Sequence, residues 1–424
     1  MHQNGTMTTS SPEVIIIGAG LAGLCCSRTL HQAGIPFLLL EASDGVGGRM
    51  RTDRVEGFLL DRGFQVLQTA YPEARRVLDY PALNLKPFYP GALVYHGNRL
   101  HRVGDPLRQP GHLFATIFSP IGTLADKLRM ARLRWRVSQS SLEDLFRRSE
   151  TSTVGALKSQ GFSDTMIERF FRPFFSGVFF DQELASSSRM FEFVFRMLAE
   201  GDTALPAGGI GAIPAQLAEA LPEGSIRTDS PVTKVEEGKV VLASGEAIRG
   251  RVVVLATDGS ETARLLGKEK AFPSVGCACL YFAADKPPVA EPILVLDGEN
   301  VGPVTNLAVV SNVAPSYAPP GHSLIQATVV GNPEMGDLDL EVKSREQLVR
   351  WFGPEVGSWR LLRLYRITRA LPDQTPPTPD PLTQPVRVTS WLFVCGEYQS
   401  LSSIHWAMVS GRRAAEAVIR ELQQ

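Results

Sequence analysis

The stretch Val14-Ile-Ile-Ile-Gly-Ala-Gly-Leu-Ala-Gly-Leu24 decides the fold. Its four β-branched residues indicate a buried strand, and Gly18, Gly20 and Gly23 follow with the G-x-G-x-x-G spacing. In such a turn the first glycine lets the chain reverse, the second lets a pyrophosphate approach the backbone, and the third lets helix and strand pack closely. The helix that starts here offers free N–H groups and the positive end of its dipole to phosphates. The stretch therefore predicts a dinucleotide site.

An acidic residue follows at the distance that such a site requires. Phe37–Leu40 is an apolar run that predicts the second strand, and Glu41 stands at its C-terminal end, 23 residues after Gly18. A carboxylate at this position accepts hydrogen bonds from the adenosine ribose and repels a 2′-phosphate. The pattern thus predicts a βαβ unit that binds a dinucleotide without a 2′-phosphate.

The composition is that of a globular protein with two or three domains. The chain has 424 residues, of which 44% are hydrophobic and 21% charged, and its net charge of -1 gives no argument for a nucleic-acid partner. Residues 1–11 lack the apolar core of a secretory signal, and no run approaches the roughly 18 apolar residues of a membrane span. The five cysteines are sparse and have no zinc-binding spacing, so we predict no metal site and no disulfide framework. A cytoplasmic location is expected.

Two further apolar runs that predict strands of the nucleotide-binding domain lie far from the first in the chain. Arg251–Ala256 and Trp391–Cys395 are apolar runs that end in Thr-Asp-Gly and Gly-Glu. The simplest assembly is one discontinuous nucleotide-binding domain with a second domain inserted between its pieces. The predicted fold class is α/β, with a Rossmann-like domain, an inserted α+β substrate domain and a helical subdomain at about residues 105–204. The predicted domain boundaries are residues 13–80, 205–275 and 386–424 for the first domain, and 81–204 and 276–385 for the second.

Two further motifs extend the pattern beyond a plain dinucleotide fold. Gly47-Gly48-Arg49 follows the second strand, and Cys395-Gly-Glu-Tyr398 precedes Ser402-Ser-Ile-His-Trp-Ala407 near the end of the chain. Together with the glycine turn and Glu41, these motifs resemble the flavin-dependent amine oxidase superfamily, which includes monoamine oxidases, protoporphyrinogen oxidases and phytoene desaturases. The resemblance implies an oxidoreductase that holds FAD non-covalently in the discontinuous domain.

The resemblance also implies which residues contact FAD. The segment Gly63-Phe64-Gln65 would pass beside the isoalloxazine ring, and Arg49 would lie against the pyrophosphate or the ribityl chain. Val232 would bind adenine through its backbone, and Glu397 would bind ribityl hydroxyls. The full set of implied cofactor contacts is Gly18, Gly20, Leu21, Ala22, Gly23, Glu41, Ala42, Gly47, Gly48, Arg49, Gly63, Phe64, Gln65, Val232, Ala256, Thr257, Gly396, Glu397, Ser403 and Ile404.

The last helix carries the catalytic candidates. Ser402 or Ser403 can cap a helix over Ile404–Leu422, whose positive end would stabilise negative charge on the reduced flavin. His405 is a candidate proton relay, and Trp406 is a candidate wall beside the flavin ring. Ser403 stands where amine oxidases of the superfamily often place a cage tyrosine, and Trp406 stands where they have glycine. These departures weaken the case for a simple amine substrate.

A phenylalanine-rich segment provides evidence about the class of substrate. Phe170–Phe195 holds nine of the 21 phenylalanines, which suits either an apolar tunnel or a helical core. By analogy within the superfamily we favour an oxidoreductase that transfers a hydride to flavin N5 from a bulky, mostly apolar small molecule, either isoprenoid, carotenoid or porphyrinogen-like. The alternatives are an amine oxidase that makes an imine and hydrogen peroxide, and a non-catalytic flavin-binding carrier.

A basic helical segment allows peripheral membrane contact. Leu124–Trp135 has apolar residues at helical spacing, and Lys127–Arg136 is rich in arginine. Such a helix can lie on a membrane and deliver a lipophilic substrate, or it can pack on the core with a solvated basic face. We favour the solvated face. The sequence makes no prediction of the oligomeric state.

Overall fold

The computed structural model describes residues 12–105, 108–109, 111, 119–270 and 272–424. The prediction that there is no secretory signal concerned residues 1–11, and these lie outside the described part. The described chain forms two compact units. The first unit consists of the described residues up to Gly48, with Pro214–Phe272 and Thr383–Gln424, and the second consists of the described residues of Arg49–Ile213 and Pro273–Leu382.

These packing units divide the chain differently from the predicted domains. Residues 49–80 and 205–213, which we assigned to the FAD-binding domain, belong to the second unit. Strand pairing explains the difference, because Leu67–Gln68 pairs with Thr203–Pro206 and both lie in the second unit. Whether the FAD contacts extend over both units stays a prediction.

The secondary structure is mixed, and the strands are numbered here in chain order. The strands are β1 Val14–Ile17, β2 Phe37–Leu40, β3 Thr52–Val55, β4 Phe58–Asp61, β5 Leu67–Gln68, β6 Leu85–Pro87, β7 Gly91–His96, β8 Arg99–Gly104, β9 Thr203–Pro206, β10 Ile226–Arg227, β11 Val232–Glu236, β12 Lys239–Leu242, β13 Ala247–Arg249, β14 Val252–Leu255, β15 Ser274–Ala284, β16 Leu294–Asp297, β17 Val304–Val309, β18 Ser323–Val330, β19 Arg360–Pro372 and β20 Leu392–Val394. The α-helices are Leu21–Gln32, Pro72–Val77, Tyr80–Leu83, Leu124–Gln139, Leu142–Arg147, Thr153–Ser159, Asp164–Met166, Arg172–Phe179, Ser188–Glu200, Ala212–Glu219, Gly259–Leu265, Val310–Val313, Asp337–Phe352 and Ile404–Leu422.

A five-stranded parallel sheet forms the core of the first unit, in the order β10-β2-β1-β14-β20. Strands β1 and β14 consist entirely of buried apolar residues, as expected when both faces of a parallel sheet are covered. Val14 lies opposite Phe37 on one side and Val252 on the other. The order places the carboxyl ends of β1, β14 and β20 side by side, so the predicted nucleotide-type α/β fold is confirmed.

The first and last helices pack closely in this unit. A Cβ atom on Gly411 in helix Ile404–Leu422 would lie 2.0 Å from the backbone oxygen of Ala22 in helix Leu21–Gln32. Only glycine permits this approach. The last helix has the bounds that the sequence predicted.

A seven-stranded mixed sheet forms the core of the second unit, in the order β19-β15-β18-β17-β16-β7-β8. Neighbouring strands are antiparallel except β16 and β7, which are parallel. One face is apolar, where Leu280 and Phe282 share a buried cluster with Leu348 and Trp351 of helix Asp337–Phe352. The opposite face carries polar side chains among apolar ones, and it adjoins the predicted Gly63-Phe64-Gln65 segment.

Part of the phenylalanine-rich segment is plain core. Five of its rings are buried, namely Phe171, Phe175, Phe179, Phe191 and Phe193. The rings of Phe175 and Phe191 meet edge to face with centroids 4.9 Å apart. For these five the core interpretation is correct. Phe180 is half-buried and packs against the apolar cluster that contains Phe58 and Cys279.

Among the residues that the structure describes, no helix is long and apolar enough to cross a membrane. The same residues include no group of three histidine, cysteine, aspartate or glutamate side chains that could hold a metal ion. All five cysteines are buried thiols. Their burial and the surrounding strands make them small core residues.

Candidate cofactor and substrate site

The three glycines of the turn in the first unit have two different roles, close packing within the protein and open space for a ligand. Gly18 has φ +104, and a Cβ there would lie 2.9 Å from the backbone oxygen of Ala256. A Cβ on Gly23 would lie 1.9 Å from the backbone oxygen of Gly18. A Cβ on Gly20 would meet no atom within 4 Å. The outer glycines are therefore required by the protein's own packing, while Gly20 leaves open space at the helix N-terminus, as a bound pyrophosphate needs.

The carboxylate of Glu41 is held beside this turn. One carboxylate oxygen accepts a hydrogen bond from the backbone N–H of Ala19 at 2.7 Å, and the other accepts from the backbone N–H of Ser43 at 2.9 Å. The side chain is buried. Because a carboxylate has about four acceptor positions, it can keep these bonds and also accept from ribose hydroxyls. The fixed acid at the end of β2 fits an adenosine ribose.

The Gly47-Gly48 pair folds back on the turn. The backbone N–H of Gly47 donates to the oxygen of Ala19 at 2.8 Å, and a Cβ on Gly48 would lie 3.5 Å from the Cα atom of Gly20. Both glycines have positive φ, +111 and +58. The sequence placed this pair at the cofactor, and the structure brings it to the one open position of the turn.

The carboxyl ends of the neighbouring strands bring further predicted residues to the same sheet edge. Ala256 follows β14 and donates its N–H to the oxygen of Ile17, and Cys395 follows β20 and donates to the oxygen of Leu255. Ala256-Thr257 therefore stand beside the end of β1, and Gly396-Glu397 stand beside the end of β14. Val232 is buried in the core of this unit, and its carbonyl accepts a bond of 2.9 Å from the guanidinium of Arg264. The role of each residue toward FAD stays a prediction.

The last helix begins with the predicted serine cap. Of the two candidates, Ser403 is the cap, and its hydroxyl accepts from the backbone N–H of Trp406 at 3.2 Å. His405 and Trp406 are both buried, with ring centroids 4.7 Å apart. Burial, with a smaller contribution from the charge of Arg412, lowers the pKa of His405 to about 3. The imidazole is therefore neutral at physiological pH, which restricts the predicted proton relay to a neutral donor or acceptor.

The predicted flavin-ring segment lies in the second unit. Gly63 has φ +100, and a Cβ there would lie 2.8 Å from the terminal methyl group of Ile367 on β19. The amide of Gln65 donates to the backbone oxygen of Arg49 at 2.8 Å, which ties the two predicted pieces together. The Arg49 guanidinium donates to the backbone oxygen of Ala370 at 2.6 Å. The predicted contact between Arg49 and the pyrophosphate or ribityl chain stays a prediction.

Asp61, in the segment that leads to Gly63, has an environment that sequence reasoning did not predict. Its carboxylate is buried and accepts hydrogen bonds from the Thr52 hydroxyl at 2.6 Å, the Ile210 N–H at 2.9 Å and the Tyr317 hydroxyl at 2.8 Å. Burial raises the pKa of Asp61 to about 6, although these three donors favour the charged form. The carboxylate anchors the chain two residues before Gly63. The available signal was an aspartate that ends the otherwise apolar run Phe58-Leu-Leu-Asp61.

A second missed feature is a row of polar side chains on the seven-stranded sheet. Asn306, Thr328, Cys279 and Tyr365 lie directly opposite one another on β17, β18, β15 and β19. The amide of Gln326 donates to the Thr328 hydroxyl at 2.9 Å. The carbonyl oxygens of the Asn306 and Gln326 side chains are buried and accept no hydrogen bond from any residue that the structure describes. Such groups are rare in protein interiors, so they point to a bound partner or a buried water.

The glycine turn, the held carboxylate and the sheet edge form the arrangement of a dinucleotide site. The sequence pattern of flavin-containing amine oxidoreductases matches residues 21–419. The chain belongs to this family. The predicted superfamily and its flavin cofactor are thereby confirmed, and the family is one of flavin-dependent oxidoreductases.

Relatives of this amine oxidoreductase differ in their substrates. An L-amino-acid oxidase of Sistrurus catenatus edwardsii is 36% identical over 26% of this chain and 22% of its own length. The chloroplastic/mitochondrial protoporphyrinogen oxidase 2 of Arabidopsis thaliana is 24% identical over 40% of this chain and 32% of its own. The matches thus span about a fifth to a third of these relatives. A solved oxidoreductase structure from Methanosarcina mazei has a TM-score of 0.73 at 17% identity and covers 96% of this chain and 99% of that one, which supports the fold alone.

Proposed function

We propose that this flavin-containing amine oxidoreductase oxidises a bulky, mostly apolar substrate of isoprenoid or porphyrinogen type by hydride transfer to flavin N5. The observation that carries the proposal is the apolar surface around the Gly63-Phe64-Gln65 segment. Half-buried apolar side chains from several elements pack there against one buried cluster; they are Phe64, Val66, Phe180, Leu362 and Ile367. Apolar lining of this kind suits a lipophilic molecule.

The chain's own part in the reaction is to hold the cofactor and orient the substrate. The glycine turn, Glu41 and Gly47-Gly48 would hold the dinucleotide part of FAD, with the N-terminus of helix Leu21–Gln32 toward the pyrophosphate. When bound, FAD supplies the hydride acceptor, and an external oxidant such as dioxygen or a quinone regenerates it. The apolar side chains near Phe64 would exclude water from the substrate.

The amine oxidase is a second candidate because of the polar row. The side-chain carbonyls of Asn306 and Gln326 lack hydrogen-bond donors within the described structure. An amine substrate carries N–H donors that these oxygens could accept, whereas a hydrocarbon polyene carries none. An amine and a hydrocarbon polyene therefore make opposite demands on this pair of amides, whereas a porphyrinogen carries pyrrole N–H groups that the amide oxygens could also accept.

Anaerobic flavin reduction separates the candidates. We expect the FAD-loaded protein to be bleached by protoporphyrinogen IX or phytoene and not by putrescine, benzylamine or L-leucine. Bleaching by amines alone, with peroxide release in air, would overturn the proposal in favour of the second candidate. A loaded flavin that neither group reduces would count against both and favour a carrier.

A matched variant tests the part played by the amides. Gln326→Leu removes the amide oxygen that accepts no hydrogen bond and also the bond that the amide donates to the Thr328 hydroxyl, so thermal unfolding of the variant is measured beside its activity. We expect reduction by phytoene to change by less than about twofold in this variant, since a hydrocarbon makes no hydrogen bond to the amide. If an amine is the substrate, its reduction rate falls by about tenfold or more, because one lost hydrogen bond corresponds to about that factor.

A further inference from the structure

Helix Leu124–Gln139 carries a continuous apolar stripe that faces solvent. Leu124, Leu128 and Trp135 are 64%, 74% and 68% exposed. Their spacing of four and seven residues places them on one face of the helix, with the exposed Ala131 between them. An exposed tryptophan in line with two exposed leucines marks an interaction surface rather than scattered surface residues.

The orientation of this helix is fixed by its opposite face. Leu133 and Val137 are buried, and Arg136 pairs with Glu192 of helix Ser188–Glu200 at 2.6 Å. A capping box formed by Thr123 and Asp126 closes the N-terminus. The helix is therefore packed on the core as the sequence favoured. The solvent-exposed side is not purely basic, because it also presents two leucines and a tryptophan.

Basic side chains border the stripe. The helix contains five basic residues and one acidic residue. Arg129, Arg134 and Arg136 pair with Asp126, Asp105 and Glu192, whereas the exposed Arg132 makes no ion pair with any residue in the described ranges. The amine of Lys127 donates to the backbone oxygen of Ser119 at 3.0 Å. The rim of the stripe is therefore positively charged.

We propose that the Leu124–Leu128–Trp135 stripe docks on a membrane surface that contains anionic lipid. The leucines and the tryptophan would enter the boundary between headgroups and acyl chains, where indole rings are favoured. Arg132 would meet lipid phosphates. A second copy of the chain is a poorer partner, because its own stripe would bring the same positive rim against this one. The proposal does not depend on the substrate of the enzyme.

Vesicle sedimentation with the full-length protein tests this docking. We expect the protein to bind phosphatidylcholine vesicles that contain 30% phosphatidylglycerol. Binding to vesicles of phosphatidylcholine alone should be weaker by about fivefold for each basic side chain that faces the lipid. Leu128→Ser combined with Trp135→Ser is expected to weaken binding by at least about tenfold, because two apolar side chains no longer enter the bilayer. Arg132→Gln should remove about fivefold of the anionic preference.

The chain offers a matched control on another helix. Leu338 is 73% exposed on helix Asp337–Phe352, whose first turn is acidic. Leu338→Ser should leave vesicle binding unchanged. That result would show that binding depends on the stripe and not on exposed apolar side chains in general. Equal loss in the control and the stripe variant would overturn the proposal.

Tryptophan fluorescence gives a second readout that needs no activity. Adding the anionic vesicles should shift the emission of the wild type to shorter wavelength, and Trp135→Phe should abolish that shift. A wild type that does not bind the vesicles, or that forms a dimer which Leu128→Ser dissociates, would overturn the membrane assignment. Because both readouts are independent of flavin reduction, failure here is distinguishable from failure of the proposed function.

Discussion

Replacing Gly20 by alanine is expected to weaken FAD binding by about 100-fold, or about 2.7 kcal/mol, while the apoprotein keeps its stability. The added methyl group meets no protein atom within 4 Å, so the fold accommodates it. It occupies the space through which a pyrophosphate would reach the backbone. Titration of the apoprotein with FAD, followed by flavin fluorescence, measures the dissociation constant, and thermal unfolding of the apoprotein measures stability.

Gly336→Ala is a closely matched control for this experiment. Gly336 is also the N-cap of a helix, Asp337–Phe352, and a Cβ there also meets nothing within 4 Å. Both substitutions should lower the free energy of unfolding by a similar amount, about 1 kcal/mol or less, because alanine is a poorer N-cap than glycine. Only Gly20→Ala should affect FAD. Equal FAD affinity in the two variants would contradict the assignment of the turn. Gly23→Ala, unlike Gly20→Ala, should destabilise the fold itself.

Replacing Asp61 by asparagine is expected to change the pH dependence of stability in the second unit. Burial raises the pKa of Asp61 to about 6, compared with about 3.9 in an unfolded chain. With a raised folded-state pKa, the protonated carboxyl stabilises the fold below about pH 4, and this contribution is lost as the pH rises through 6. A shift of roughly two pKa units corresponds to about 3 kcal/mol.

Asparagine resembles the neutral carboxyl at every pH. Its oxygen can accept from Thr52 and Ile210, and its NH₂ group can donate to the Tyr317 hydroxyl. Urea unfolding should show a small difference between variant and wild type at pH 4 and a variant more stable by about 3 kcal/mol at pH 7.5. Asp285→Asn, at an exposed position, should show no such trend. A variant that is less stable than the wild type at pH 7.5 would contradict the assigned charge state.

The features that the sequence predicted are those set by local pattern. The glycine turn, Glu41 at the end of β2 and the serine-capped helix Ile404–Leu422 each depend on residues close together in the chain. Buried strands of a parallel sheet are also continuous apolar runs, which made Val14–Ile17 and Val252–Leu255 recognisable. Local chemistry was sufficient for the nucleotide-type fold, and the resemblance to the superfamily supplied the flavin.

The features that the sequence did not predict depend on pairing between distant segments. The row that contains Asn306, Thr328 and Cys279 exists only because three strands pair in one register. The environment of Asp61 is made by Tyr317, which lies 256 positions further along the chain. The exposed apolar stripe on the basic helix was not predicted, because the periodicity shows two faces but not which apolar residues the core covers.

The central claim is that the chain binds FAD as a dinucleotide through the Gly20 turn and Glu41. The most direct measurement is a comparison of FAD and FMN titrations of the apoprotein, because FMN lacks the adenosine that Glu41 would hold. We expect one FAD per chain and an affinity for FMN that is lower by about 100-fold or more, equivalent to about 2.7 kcal/mol. Equal affinities for FAD and FMN, or no flavin binding, would contradict the account.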